Sequence, residues 1–280
     1  MGRRFLVRIG STGALWAALL TAVSSPFVFY SRYFIQEVGL VGFTLMCLMV
    51  REGQYPPPPE PLTTPGEPPG TIASVIAYFR ESFSNPHYVW IYVATTLAAL
   101  AFAPVNSFAV LYAKSIGLNM ARYGKYLVLT YIISFILSYP LGALADRFHP
   151  LRVSIATLIL YGVVGFYGGV FAHTPTTFAV AFVAHGVVSG LFYTVQVPVY
   201  QRLLPAGKFG QFYSAANLLV GLGFVILPPA IGFMLDVTGN VYRYTFLSGG
   251  VLSVLAVASL LAVHTRFMRM GGPKGYVAPE

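Results

Sequence analysis

Long stretches without a single charge dominate this chain, and they leave few folds open to it. Eight apolar runs lie near 10–30, 34–50, 88–113, 123–145, 152–172, 177–199, 211–233 and 245–264. A helix crosses a hydrocarbon core with roughly 20 such residues. Only 9% of the 280 residues are charged and 56% are hydrophobic, whereas a soluble domain carries roughly 25% charge. A water-soluble globule could not clothe its surface this way, and disorder is excluded because the chain is apolar rather than polar. The expected fold class is all-α, a polytopic membrane bundle of about eight transmembrane helices. The run at 34–50 is the weakest, because Gln36 and Glu37 stand at its start. Glu37 is expected near an interface, where an acid costs much less than at the midplane.

The net charge of +9 would suggest a nucleic-acid partner in a soluble protein. Here it reads as topology, since cytoplasmic loops retain Lys and Arg. With the amino terminus inside, the inner segments carry Arg3, Arg4, Arg8, Arg51, Arg80, Arg147, Arg152, Arg202, Lys208, Arg266, Arg269 and Lys274. The outer segments carry Arg32, Lys114, Arg122, Lys125 and Arg243, a ratio of 12 to 5. An integral membrane protein with both termini cytoplasmic is therefore expected. Residues 1–25 also resemble a signal peptide: Arg3, Arg4 and Arg8 precede an apolar stretch that ends in Ala22-Val23-Ser24. The apolar run continues through Tyr30 and the span count is even, which favours a retained helix. The single Cys47 cannot form an internal disulfide. No Cys pair or HExxH run is present, so the sequence points to no metal and no cofactor.

Residues 51–87 separate two groups of spans. Gln54 to Gly70 is too proline-rich for a helix and reads as an extended linker; a ligand for a proline-reading module is the alternative. Ile72, Val75, Ile76 and Phe79 then recur at helical spacing, which predicts an amphipathic helix on the membrane surface with Arg80 toward the headgroups. The expected organisation is residues 1–50 as two helices of a first bundle, 51–87 as a cytoplasmic linker, 88–265 as a six-helix second bundle and 266–280 as a cytoplasmic tail.

The segment from Gly142 through Asp146 and Arg147 to Arg152 resembles a loop signature of the major facilitator superfamily. That signature places a Gly, an Asp-Arg pair and a trailing Arg between two helices. Phe148-His149-Pro150 departs from the usual Gly-Arg-Lys neighbourhood. The resemblance extends over roughly residues 10–265 and implies helices five to twelve of a twelve-helix transporter, with the first four absent. It thereby implies a truncated reading frame or a fragment that needs a missing four-helix segment or a partner chain; a self-sufficient eight-helix protein is the rival. It also implies a gating role for Asp146, Arg147 and Arg152, with Asp146 meeting the helix that begins near Ile9. Physically, an acid there complements a helix amino terminus, whereas a plain positive-inside anchor is the simpler reading.

Polar groups inside spans are costly unless they face a partner or a wet cavity. In 177–199, His185, Ser189, Tyr193 and Gln196 fall at about 0°, 40°, 80° and 20° on a helical wheel. They make one stripe, which suits a cavity wall in the helix that the resemblance makes the tenth; bonding between helices is the alternative. Tyr131 with Ser134 and Ser138 forms a lesser stripe, Asn106 follows Pro104, and Asn217 lies one turn from Tyr213. Asn106, Tyr131, His185, Ser189, Tyr193, Gln196 and Asn217 are the expected solute-binding residues. They offer amides, hydroxyls and aromatic faces without fixed charge, whereas anionic solutes call for Arg or Lys. The expected activity is secondary active transport, as a symporter with alternating access, of a small neutral polar solute such as a sugar or nucleoside. A non-transporting membrane bundle is the alternative. An enzyme is not expected, because no acid pair or His cluster lies within a span. His185 reads as a hydrogen-bonding residue, since without an acid partner burial keeps an imidazole neutral.

Overall fold

The computed structural model describes residues 71–279. The spans expected near 10–30 and 34–50, the proline-rich stretch through Gly70, Glu37, Cys47 and the helix near Ile9 lie outside the described residues. The described chain is helical, with no strand among its elements. Helix α1 runs Thr71–Ser84, α2 Pro86–Leu100, α3 Ala103–Ser115, α4 Met120–Phe148 and α5 Pro150–Phe171. Then come α6 at Pro175–Leu203, α7 at Phe209–Val237, α8 at Tyr244–Arg269 and the short α9 at Gly272–Gly275. Among the described residues, six segments are long and apolar enough to cross a membrane, with α2 and α3 together making the first.

Four of the six described spans begin at a residue whose side chain satisfies a free backbone N–H group. Asn85 accepts from His87 N at 2.9 Å ahead of Pro86, and Asn119 accepts from Ala121 N at 2.8 Å. Thr174 and Thr177 form a reciprocal cap around Pro175. Prolines 140, 198, 228 and 229 sit inside continuous helices. The one interruption falls at Ala101–Phe102, just before Pro104. Pro104 has no N–H to give the Leu100 carbonyl, and Phe102 uses the opening to bury its ring against Tyr161 (centroids 4.2 Å) and Phe192 (5.3 Å).

The turn from α4 to α5 passes through one residue. His149 has φ 80° and serves as the end of one helix and the start of the next, its Nδ1 accepting from Leu151 N at 3.3 Å. A positive φ is the region that glycine adopts freely and other residues only at a cost. Burial, helped by Arg202 and Arg152, holds the His149 imidazole below its usual range, and accepting that bond requires the neutral ring. The unfolded chain binds the proton first as pH falls below about 6.5. The His149 contribution is therefore present above that pH and is lost as pH falls toward the depressed folded value. His149→Asn keeps a side-chain acceptor, tolerates positive φ and does not titrate. It is expected to match the parent's thermal stability at pH 7 and to exceed it at pH 5.

Small residues set the packing. Helices α5 and α8 approach so closely that a Cβ on Gly165 would lie 2.6 Å from Gly250 Cα, and one on Gly168 2.5 Å from the Phe246 ring. Ser253 Oγ donates to the Leu158 carbonyl at 2.6 Å across the same seam. Gly186 and Gly190 of α6 receive Thr130 and Ser134 of α4 in the same way. Such small residues let the backbones of neighbouring membrane helices approach closely. Helices α2, α5, α6 and α8 make the centre. Helices α4 and α7 lie at the flanks, with only 11% of each apolar window buried against 72% for α2–α3.

At the end that bears the carboxyl-terminal tail, Tyr276 donates to the Leu203 carbonyl at 2.8 Å and accepts from His87 Nε2 at 3.0 Å. Burial raises its phenol pKa, so the donor is retained at neutral pH. Tyr88 donates to the Pro279 carbonyl. Tyr276→Phe should cost about 1 kcal/mol and make residues 271–279 more susceptible to limited proteolysis. Helix α1 is tied to the same end: Glu81 pairs with Lys208 and accepts from Gln211 Nε2 at 3.0 Å, and Tyr78 donates to the Gln211 carbonyl at 3.2 Å. The hydrogen bonds from Lys208 and Gln211 hold the Glu81 carboxyl below its usual range, but the pair is exposed and stabilises little. Ile72, Val75, Ile76 and Phe79 are all exposed on α1.

Candidate functional site

The break between α2 and α3 brings three helices into one hydrogen-bonded chain. His185 of α6, 1% exposed, bonds Tyr161 Oη of α5 through Nδ1 at 2.9 Å and Asn106 Oδ1 of α3 through Nε2 at 2.9 Å. Rings of Phe102, Phe182 and Phe246 surround it with centroids 6.1–6.5 Å away. Both ring nitrogens face neutral groups rather than a carboxylate. His185 is thus a hydrogen-bonding residue, as its surroundings in the sequence suggested.

The polar stripe of α6 divides by depth. His185 and Ser189 are buried, Tyr193 is 41% exposed and Gln196 is half-buried. Angular position placed all four on one side, but neighbouring helices cover its first half. Tyr193 meets the Phe102 ring at 5.8 Å, so the exposed half of the stripe lies beside the α2–α3 break. Asn106 is exposed, with its oxygen committed to His185. Asn217 of α7 is exposed and uses its Nδ2 on the Tyr213 carbonyl of its own helix at 2.8 Å, which leaves Oδ1 outward. Tyr131 of α4 is 58% exposed. The same helix sends Ser134 to the Gly186 carbonyl at 3.5 Å and Ser138 to its own Phe135 carbonyl.

The loop residues separate. Asp146 is exposed and makes no ion pair among the described residues. Arg147 lays its guanidinium over the Phe148 ring at 5.4 Å. Arg152 reaches α8, donating from Nε to His264 Nε2 at 3.3 Å and from Nη2 to Met268 Sδ at 3.8 Å. Its contacts join α5 to α8, away from Asp146.

A groove of about 630 Å³ opens elsewhere, between α4, α5 and α6, lined by Leu129, Leu160, Val164, Val180, Val183 and Val187 among others. None of the expected solute-binding residues borders it, and its lining is apolar. Among the described residues no three His, Cys, Asp or Glu side chains gather as a metal site would require. Sequence reasoning missed Tyr161, whose buried hydroxyl completes the His185 chain. The signal was a phenol amid the apolar run Leu158-Ile159-Leu160, where a polar tip needs a partner.

Comparison with known proteins gives the arrangement a family. The sequence model described as Major Facilitator Superfamily matches residues 91–275. The riboflavin transporter MCH5 of Saccharomyces cerevisiae is 22% identical over 185 residues, covering 65% of this chain and 36% of that protein. The crystal structure of the E. coli fucose:proton symporter FucP superposes with a TM-score of 0.61 at 17% identity, covering 93% of this chain and 60% of that one. The chain thus spans a little over a third of the first relative and three-fifths of the second. With six apolar spans among its described residues and a family match over most of its length, this integral membrane chain belongs to the Major Facilitator Superfamily.

Proposed function

We propose that these helices form one half of a secondary transporter that moves a small neutral polar solute, of the sugar or nucleoside class, by alternating access. The reading rests on one observation above all. The exposed or half-buried polar side chains at mid-span (Asn106, Tyr131, Tyr193, Gln196 and Asn217) are all uncharged, whereas each Lys or Arg of a described span lies toward a helix end. A carboxylate or phosphate would call for a cation at that depth; hydroxyls and ring nitrogens are matched by amides, phenols and aromatic faces. Two relatives carry solutes of related polarity by name, riboflavin and fucose. Ser189 and His185 stand behind this surface and shape it. The uncovered faces of α4 and α7 are where a second bundle packs, supplied by other residues of the protein or by a partner chain. Asp146, Arg147 and Arg152 lie on the cytoplasmic side in this reading and hold a gate, with both termini cytoplasmic.

The test is uptake by cells expressing the chain, using radiolabelled glucose, fucose, uridine, riboflavin, lactate and phosphate. Saturable uptake of one of the four neutral compounds is expected, reduced at least tenfold by the double variant Tyr193→Leu, Gln196→Leu. A preference for lactate or phosphate would overturn the neutral-solute reading. Asp146→Asn is expected to change uptake turnover severalfold while leaving the amount of folded protein in the membrane unchanged; loss of the protein itself would make Asp146 structural.

A further inference from the structure

We infer that Tyr161 is a positioning residue that acts through His185 to turn the amide nitrogen of Asn106 outward. The cleft thereby offers a hydrogen-bond donor at the α2–α3 break and selects solutes that present a carbonyl, hydroxyl or ether oxygen there. This inference rests on the proposed transport path, and it assigns the polarity of one point on that path.

The direction of the chain follows from Tyr161. Its side chain is fully buried and its O–H has one hydrogen-bond partner among the described residues, His185 Nδ1 at 2.9 Å. A phenol carries a single donor, and a buried donor left unmade costs more than an unused oxygen lone pair. Tyr161 therefore donates and Nδ1 is bare. The proton of a neutral imidazole then sits on Nε2, which donates to Asn106 across 2.9 Å. Only the oxygen of an amide accepts such a bond. The NH₂ group of Asn106 consequently points away from His185, on a residue that the bundle leaves exposed. Reversing the imidazole would reverse the amide and present an oxygen instead, so one hydroxyl in the core of the bundle sets the polarity of a group at its surface.

The space for this hydroxyl is provided on purpose-fitted backbone. A Cβ on Gly249 of α8 would lie 2.8 Å from the Tyr161 oxygen and 2.7 Å from the Ala101 carbonyl. Only glycine at 249 lets the phenol reach His185 beside the break without contact. Gly249→Ala is thus a second way to disturb the chain without substituting any of its three polar members.

The ring and the amide can be read directly, independently of whether uptake succeeds. With ¹⁵N-labelled His and Asn in lipid bilayers at neutral pH, the imidazole signal that disappears in His185→Gln should show a protonated Nε2 and a bare Nδ1. The Asn106 side-chain nitrogen should receive magnetisation from water. Tyr161→Phe and Gly249→Ala, which remove or displace the phenol donor, should each move the Nδ1 resonance toward that of an unbonded ring nitrogen. An Nδ1–H ring or an imidazolium in the parent, an Nδ1 resonance unmoved by both variants, or an Asn106 nitrogen shielded from water would overturn the inference. For the neutral solute taken up in the panel above, Asn106→Asp replaces the outward donor by an acceptor and should raise KM about tenfold with kcat little changed. An unchanged KM would overturn the donor role even if transport itself stands, whereas absence of uptake from the whole panel defeats the transport reading and leaves the tautomer result to decide the geometry.

Discussion

Gly165→Ala is expected to destabilise the bundle by about 1–3 kcal/mol, and Gly165→Leu to leave little folded protein. The sign is not obvious, because alanine in a helix is better than glycine by about 1 kcal/mol. What decides it is the identity of the obstacle. The new Cβ would meet Gly250 Cα at 2.6 Å and Gly250 N at 2.7 Å, with the Phe246 carbonyl oxygen at 2.9 Å. These are backbone atoms that cannot rotate aside, so α5 and α8 must separate along their seam and give up the Ser253 bond to Leu158 with it. Gly124→Ala, which meets nothing within 4 Å, is the control and should keep or raise stability. Thermal unfolding in detergent measures both; equal midpoints for Gly165→Ala and the parent would show that the seam is looser than the structure has it.

His185→Leu is expected to cost about 1–3 kcal/mol by leaving the Tyr161 hydroxyl unpaired in an apolar site, and to reduce uptake at least tenfold by freeing Asn106. His185→Gln should retain most of both. Its carbonyl can accept from Tyr161 and its NH₂ can donate to Asn106, which reproduces the bond polarity of the Nε2–H imidazole. Because glutamine does not titrate, retained pH-driven uptake in His185→Gln would locate proton coupling elsewhere. Loss of pH dependence with uptake otherwise intact would instead make His185 the coupling group.

Much of this architecture was legible because burying backbone in hydrocarbon demands helices. Apolar length alone located all six described spans to within a few residues. The glycine spacings at 165–169 and 186–190 were visible too, although their partners Gly250, Leu247, Thr130 and Ser134 come from elsewhere in the chain. Four of five mid-span prolines are absorbed into continuous helices, since losing one hydrogen bond only bends a helix. Only Pro104 coincides with a break, where Phe102 gains a buried aromatic site in exchange. A helical wheel gave the direction of the α6 stripe but not its depth, so it could not separate buried His185 and Ser189 from exposed Tyr193. Tyr161 was hidden because a tyrosine in an apolar run looks like core until the partner of its hydroxyl is known. The Arg152 contacts with His264 and Met268 link residues more than a hundred positions apart, beyond what local spacing can reveal.

Exposure on this bundle is exposure either to water or to lipid, and the account stands or falls on that difference. With Cys47 replaced by Ser, single cysteines at Asn106, Tyr193, Gln196 and Asn217 should react with a membrane-impermeant thiol reagent in native membranes. Cysteines at buried Ser189 and at Val163, 62% exposed on α5, should remain unmodified. Protection of all four test positions, with the Val163 cysteine equally silent, would mean that these side chains meet hydrocarbon or packed protein and that no aqueous path runs along them.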